Sequence, residues 1–191
     1  MTRRRFTVSA WLAMASAYAT VPMAYLAFML EGRGDTVGTA MQVGLQVVGT
    51  LLFVAVTLIL KRVLDRLFSF HDTDRNIDLM VMATVGAGGF LMGGLFFPGI
   101  RGSTEIAAVV LLVFQGVVQL QFGYKLLKLR NNLGGMLKPF CLLNMATGLC
   151  ISSIMLILPG ILLGALSDLM LATIYFEIAK ELKEVEHNRL G

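Results

Sequence analysis

Six apolar runs, over residues 8–30, 37–60, 77–97, 105–124, 139–158 and 161–179, take up most of a chain of 191 residues. Each is near the roughly 20 residues that an α-helix needs to cross a hydrocarbon core about 30 Å thick. The last two runs join into one continuous stretch, 139–179. That stretch is about twice the length of one span and must turn back once. The "LPG" at 158–160 is the point in it that combines a helix breaker with a flexible residue, so the turn is expected there.

The composition agrees, with 57% hydrophobic and 15% charged residues and a mean hydropathy of +0.77. These values lie far from those of soluble domains. The fold expected is an all-α integral membrane protein: one polytopic domain over residues 1–191, a bundle of six transmembrane helices. The loops leave no room for a soluble catalytic domain.

Charge gives the orientation. With the N-terminus cytoplasmic, the inner side holds Arg3, Arg4 and Arg5, then Lys61, Arg62, Arg66 and Arg75, then Lys125, Lys128, Arg130 and Lys138, then Lys180, Lys183 and Arg189. Only Arg33 and Arg101 fall outside, fourteen against two. This is a strong positive-inside signal, and a miscounted span would scatter the later clusters. The chain is therefore expected in the cell membrane, multi-pass, with both termini cytoplasmic. The net charge of +4 lies in short clusters between apolar runs, so the partners expected are the bilayer and its anionic headgroups at the cytoplasmic face, not nucleic acid. The start "TRRRFTVSAWLAMASAYA" has the form of a signal peptide. Its apolar run continues to Leu30, longer than such a segment, so an uncleaved first helix with a kink at Pro22 is expected.

Tripeptides recur at intervals of one helical hairpin, "MAS" at 14 and "MAT" at 82 and 145, and "PGI" follows at 98 and 159. The bundle therefore reads as three repeated hairpins. In the third span Gly86, Gly89 and Gly93 are expected to serve helix packing, Gly89 and Gly93 being in GxxxG spacing. Ala13 with Ala17, and Ala15 with Ala19, carry the same spacing of small residues in the first span.

Polar residues within the spans define the candidate site. Counted inward from the outer ends at ~1.5 Å per residue, Gln46, Gln115 and Asp168 lie about 11–15 Å deep. Ser152 and Ser153 come to a similar level when measured from the "PG" turn, whereas Asn144 falls nearer the cytoplasmic side. An ionised acid at such depth costs ~3 kcal/mol on insertion scales, so Asp168 is not expected to face lipid. It either donates a hydrogen bond as a neutral acid, sits charged in a hydrated cavity, or pairs with a cation, ligand or partner subunit. Arg101 is the better placed of the two outer arginines to approach it. The set Asp168, Gln46, Gln115, Ser152 and Ser153 is thus a candidate ligand or ion site, with interhelical glue as the competing reading.

Other chemistry finds no support in the sequence. The loop "FSFHDTDRNID" holds His71, Asp72, Asp74 and Asp78, but its acids read as turn formers, with Asn76 or Asp74 near the start of the third helix. Both histidines, His71 and His187, lie outside the spans. Cys141 and Cys150 share one helix about 13 Å apart and cannot pair there. There is no GxSxG, HExxH, P-loop or dinucleotide fingerprint. No enzyme, cofactor or metal is expected. The function expected is a permease-type or channel-type component with its polar site around Asp168. The alternative is a non-catalytic anchor or assembly subunit that packs against a homo-oligomeric or partner membrane chain.

Overall fold

A computed structural model describes residues 3–30, 36–129 and 135–190. Its helices are α1 (Arg3–Leu30), α2 (Thr36–Phe68), α3 (Asp74–Phe96), α4 (Arg101–Leu126), α5 (Leu137–Ser152) and α6 (Ile157–Leu190), with a short 3-10 turn at Pro98–Ile100 before α4. Five of them are long and apolar enough to cross a membrane, and α5, with 16 residues, is a shorter apolar helix. The chain is a multi-pass membrane protein. Helices serve here because lipid offers backbone amides no partner, and a helix satisfies them within one segment.

Apolar side chains cover the outside of the bundle as well as its core. Large apolar side chains such as Trp11, Phe28, Leu51, Met82, Ile106 and Leu158 face outward, where lipid tails solvate them. Gln115, Gln119, Asn144 and Ser167 are buried.

The helices run alternately up and down and form a closed ring. Among the described residues each helix packs on its neighbours in sequence, and α6 closes the ring on α1. The closure is built from the small stripe of α1. Ala10, Ala13, Ser16 and Ala17 are buried, whereas Ala15, of the parallel Ala15/Ala19 spacing, is exposed. Phe6 meets Tyr175 with rings tilted 57° at a separation of 6.4 Å, and Trp11 meets Phe176 edge-on at 5.7 Å. Both termini of the described chain therefore lie at one end of the bundle. That end also carries the described basic clusters and is called the basic end below.

The α5–α6 turn departs from the expectation. The chain reverses over 153–156, not at 158–160, and Pro159 and Gly160 lie in the first turn of α6. The first four N–H groups of a helix have no partner within it, so a proline there forfeits no bond. Ile154 takes φ +57° in the reversal, a conformation uncommon for a β-branched residue. Gly160 packs tightly on the end of α5, where a Cβ would lie 3.1 Å from Cβ of Cys150. The three hairpins are also unequal, because α1 has 28 residues, α3 has 23 and α5 has 16.

The buried apolar core lies toward the basic end. Phe6, Leu64, Ile77, Phe122, Phe140 and Tyr175 form one buried apolar cluster contributed by all six helices. At the same end Asn76 joins α3 to α4. Its Nδ2 donates to the carbonyl oxygen of Val118 at 3.3 Å, and its Oδ1 accepts from Lys125 Nζ at 2.7 Å. Asn76 therefore lies inside α3, which begins at Asp74 after Thr73.

Close backbone approach occurs elsewhere than the third-span glycines suggest. A Cβ on Gly148 would lie 2.5 Å from the carbonyl oxygen of Gly116, and one on Gly116 would lie 2.6 Å from the carbonyl oxygen of Gly148. Gly123 continues the seam, 2.9 Å from the carbonyl oxygen of Cys141 by the same measure. In α3, Gly86 meets only the tip of Leu111, and a Cβ at Gly89 or Gly93 would meet nothing within 4 Å. The GxxxG pair thus mediates no close approach among the described residues.

Candidate functional site

Above the apolar cluster the ring encloses a cavity of about 320 Å³ lined from all six helices. Its polar side begins at Asp168. Ser16 Oγ donates to Asp168 Oδ2 at 2.6 Å, joining α1 to α6 across 152 positions of sequence. One residue earlier on α6, Ser167 Oγ accepts from Asn144 Nδ2 at 2.9 Å, and the same Nδ2 donates to the carbonyl oxygen of Phe140 at 3.0 Å. Asn144 Oδ1 accepts in turn from Gln119 Nε2 at 3.4 Å. A polar chain therefore passes from α4 through α5 to α6, ending next to the Ser16–Asp168 pair.

Gln115, one turn before Gln119 on α4, lines the same cavity and is only 6% exposed. Its Oε1 is buried with no hydrogen-bond partner. An orphaned buried carbonyl forfeits on the order of 1–3 kcal/mol. Thr57 of α2 and Thr147 of α5 also line the cavity, but Thr147 Oγ1 is turned back onto the carbonyl oxygen of Leu143. The remaining wall is largely apolar, with Leu52, Phe53, Met80, Phe122 and Leu171. Asp168 is the one ionisable side chain among the residues that line it.

Toward the end opposite the basic one lies a wider vestibule of about 570 Å³, between the end of α1, the start of α2, the end of α3 and the starts of α4 and α6. Met23 and Ile161 line both spaces and so stand between them. Gln42, Gln46, Arg101 and Glu105 line the vestibule. Arg101 Nε donates to Glu105 Oε1 at 2.6 Å, one turn on, so its head is held at the rim and not at Asp168. Gln42 Nε2 donates to the carbonyl oxygen of Leu30 at 2.7 Å and ties the end of α1 to α2.

The five residues singled out from sequence fall into three places. Asp168 and Gln115 share the central cavity, Gln46 lines the vestibule, and Ser152, half-buried, and Ser153, exposed, lie at the end of α5. The serine hydroxyls bond back to the carbonyl oxygens of Leu149 at 3.0 Å and Cys150 at 2.8 Å. Carbonyls at a helix end run short of intrahelical donors; the Ser153 hydroxyl supplies one to Cys150, and the Ser152 hydroxyl adds to the Ser153 N–H already on Leu149 at 3.1 Å. The depth assigned to Ser152 and Ser153 depended on a turn at "PG". With the reversal a few residues earlier they end α5 and do not line the cavity. Ser16, Asn144 and Ser167 complete the polar wall without having been singled out as site residues. Ser16 had a signal, since it lies three positions after Ala13 and next to Ala17 on the stripe that α6 covers.

Compared with protein-family models, with curated proteins and with solved structures, the chain matches none.

Proposed function

We propose that this membrane protein is a permease-type or channel-type component whose central cavity takes a small solute or ion, with Asp168 and Gln115 as its recognition groups. The observation that carries the reading is the unpartnered Oε1 of Gln115, buried in the wall of the cavity that holds the single carboxylate. With the other polar groups of the wall largely bonded to one another, these two acceptors favour a ligand with hydrogen-bond donors, a protonated amine above all. A volume of about 320 Å³ lies at the lower end for small-molecule sites, so the solute is small. The vestibule on one side and the sealed apolar cluster on the other support access from the end opposite the basic one. With fourteen of sixteen Lys and Arg assigned to the inner side, the reading puts both termini in the cytoplasm, anionic headgroups around the basic end and the vestibule outside the cell membrane.

The test is labelling of an Asp168→Cys variant, with Cys141 and Cys150 replaced by Ala, by a small membrane-impermeant thiol reagent added from outside. Rapid labelling, slowed by a bulky Ile161→Trp replacement at the constriction, is expected. No labelling from either side would overturn the cavity reading.

A second reading is favoured by one observation. Met82, Val85, Gly89 and Phe96 are exposed along one face of α3, which suits close packing by another membrane helix. On that reading the protein assembles with a second copy or with a partner subunit. Cross-linking between Gly89→Cys copies in native membranes tests the first case, and copurification tests the second.

A further inference from the structure

At the basic end, the start of α1 and the last turns of α2 run side by side and form a cleft of about 510 Å³ lined by Arg4, Arg5, Arg62 and Arg66 with Val8, Ser9 and Ile59. Arg62 and Arg66 are one helical turn apart and so project on one side of α2. Among the residues whose side chains are described, a set that leaves out 184–190, none of the four arginines has an acidic partner. Two acids of the same end, one on α2 and one on α3, are engaged elsewhere. Asp65 lies 3.2 Å from His71, and Asp78 of α3 takes Lys61 at 2.5 Å. The basic end of α2 is thus balanced on its α3 side and unbalanced on its α1 side.

Four guanidiniums converging on one cleft repel one another and raise a field that an anion relieves. Guanidinium forks match phosphate oxygens two at a time, which fits a phosphate better than a carboxylate or a diffuse counterion. The first-turn N–H groups of α1 add to the same field. Apolar side chains of Val8 and Ile59 complete the lining, and Val8 is exposed. A lipid uses such a surface for its glycerol and upper acyl segments, while a free anion does not.

The geometry points to a discrete binding site for an anionic phospholipid, best one with two phosphates, held between α1 and α2 by Arg4, Arg5, Arg62 and Arg66. This goes beyond the central cavity and beyond general headgroup contact, because it assigns one lipid to one place. The lipid would join the α1–α2 hairpin across a cleft that protein side chains leave unfilled.

The experiment is native mass spectrometry and lipid titration of the purified full chain in a neutral detergent, with cardiolipin as the probe. Saturable one-to-one binding is expected, weakened about thirtyfold in R62Q/R66Q, since each arginine near a lipid surface contributes about a factor of five. A charge-matched R75Q/K138Q variant, altered at exposed basic residues of the same end, should bind within threefold of the unaltered protein. Inorganic phosphate at equal concentration should not displace the lipid. Equal loss in both variants would reduce the effect to diffuse charge and overturn the site. Displacement by phosphate would make it a free-anion site, and absence of saturable binding would remove it altogether. If R62Q/R66Q does not fold, R4Q/R5Q reads the same cleft from α1, with the same loss expected and retention counting against the proposal.

Discussion

Glycines of the α4–α5 seam and the GxxxG pair of α3 meet their surroundings differently, although Gly88 and Gly94 of α3 are themselves buried against side chains of α2 and α4. Along the α4–α5 seam Gly116, Gly123 and Gly148 are spread over two helices with no local motif to mark them, yet backbone approaches backbone there so closely that a methyl group does not fit. In α3 the glycines are dense and two have GxxxG spacing, yet Gly89 and Gly93 face open space. A spacing motif states that a helix surface is flat enough for close approach. Whether another helix lies against it depends on the rotation of that helix about its own axis.

The comparison breaks most readily at the seam. Gly148→Ala should destabilise the protein by about 1–3 kcal/mol, the usual range for overpacking, because the atoms it meets are backbone and cannot turn aside. A fall in the thermal unfolding midpoint in detergent measures it, and an unchanged midpoint would mean the seam is looser than its geometry. A smaller effect is expected at the ring closure. Ser16→Ala removes the donor to Asp168 and should cost about 0.6–1.7 kcal/mol, the range found for hydrogen bonds between membrane helices. The same variant should also raise the labelling rate of a thiol at position 167, if opening α1 from α6 admits water there.

Smaller still is the effect of Gly89→Ala with Gly93→Ala on the isolated chain. Stability should stay within about 0.5 kcal/mol of the unaltered protein, as for surface positions. Loss of a cross-linked dimer in membranes with no change in the monomer would sharpen the contrast, giving α3 an intermolecular role and α4–α5 an internal one. The least effect is expected from Ser152→Ala and Ser153→Ala, whose hydroxyls only serve the last carbonyls of α5. Solute binding and labelling at position 168 should not change, and a clear loss of either would return both serines to the site.

How far the site could be read from residues follows the same division. Asp168 stood out because an acid amid apolar residues conflicts with lipid wherever the helix points. Gln115 and Gln119 share a cavity as their spacing on α4 implies. Asn144 was set apart by depth, but it belongs to the same wall, because depth counted along six separate helices ignores their tilt and their unequal lengths. Ser152 and Ser153 were tied to the wrong reversal. Pro159 looked like the breaker, but a proline is also at home in the first turn of a helix. The real break lies at Ser153–Leu156, a segment with no Gly or Pro.

By itself the sequence determined a helical chain that traverses the membrane repeatedly, with its basic clusters gathered at one end. That much follows from segment length, apolar content and charge, which act one helix at a time: lipid forbids unsatisfied backbone and leaves helices as the solution. The tertiary structure alone decided that α6 closes on α1, that Ser16 reaches an acid 152 positions away, that the cavity is shared by all six helices, and which glycines touch. A helix that is apolar all round carries little sign of which side faces its neighbours. Its rotation is set by small residues and buried polar groups finding partners on other helices, and those partners exist only once the ring is closed.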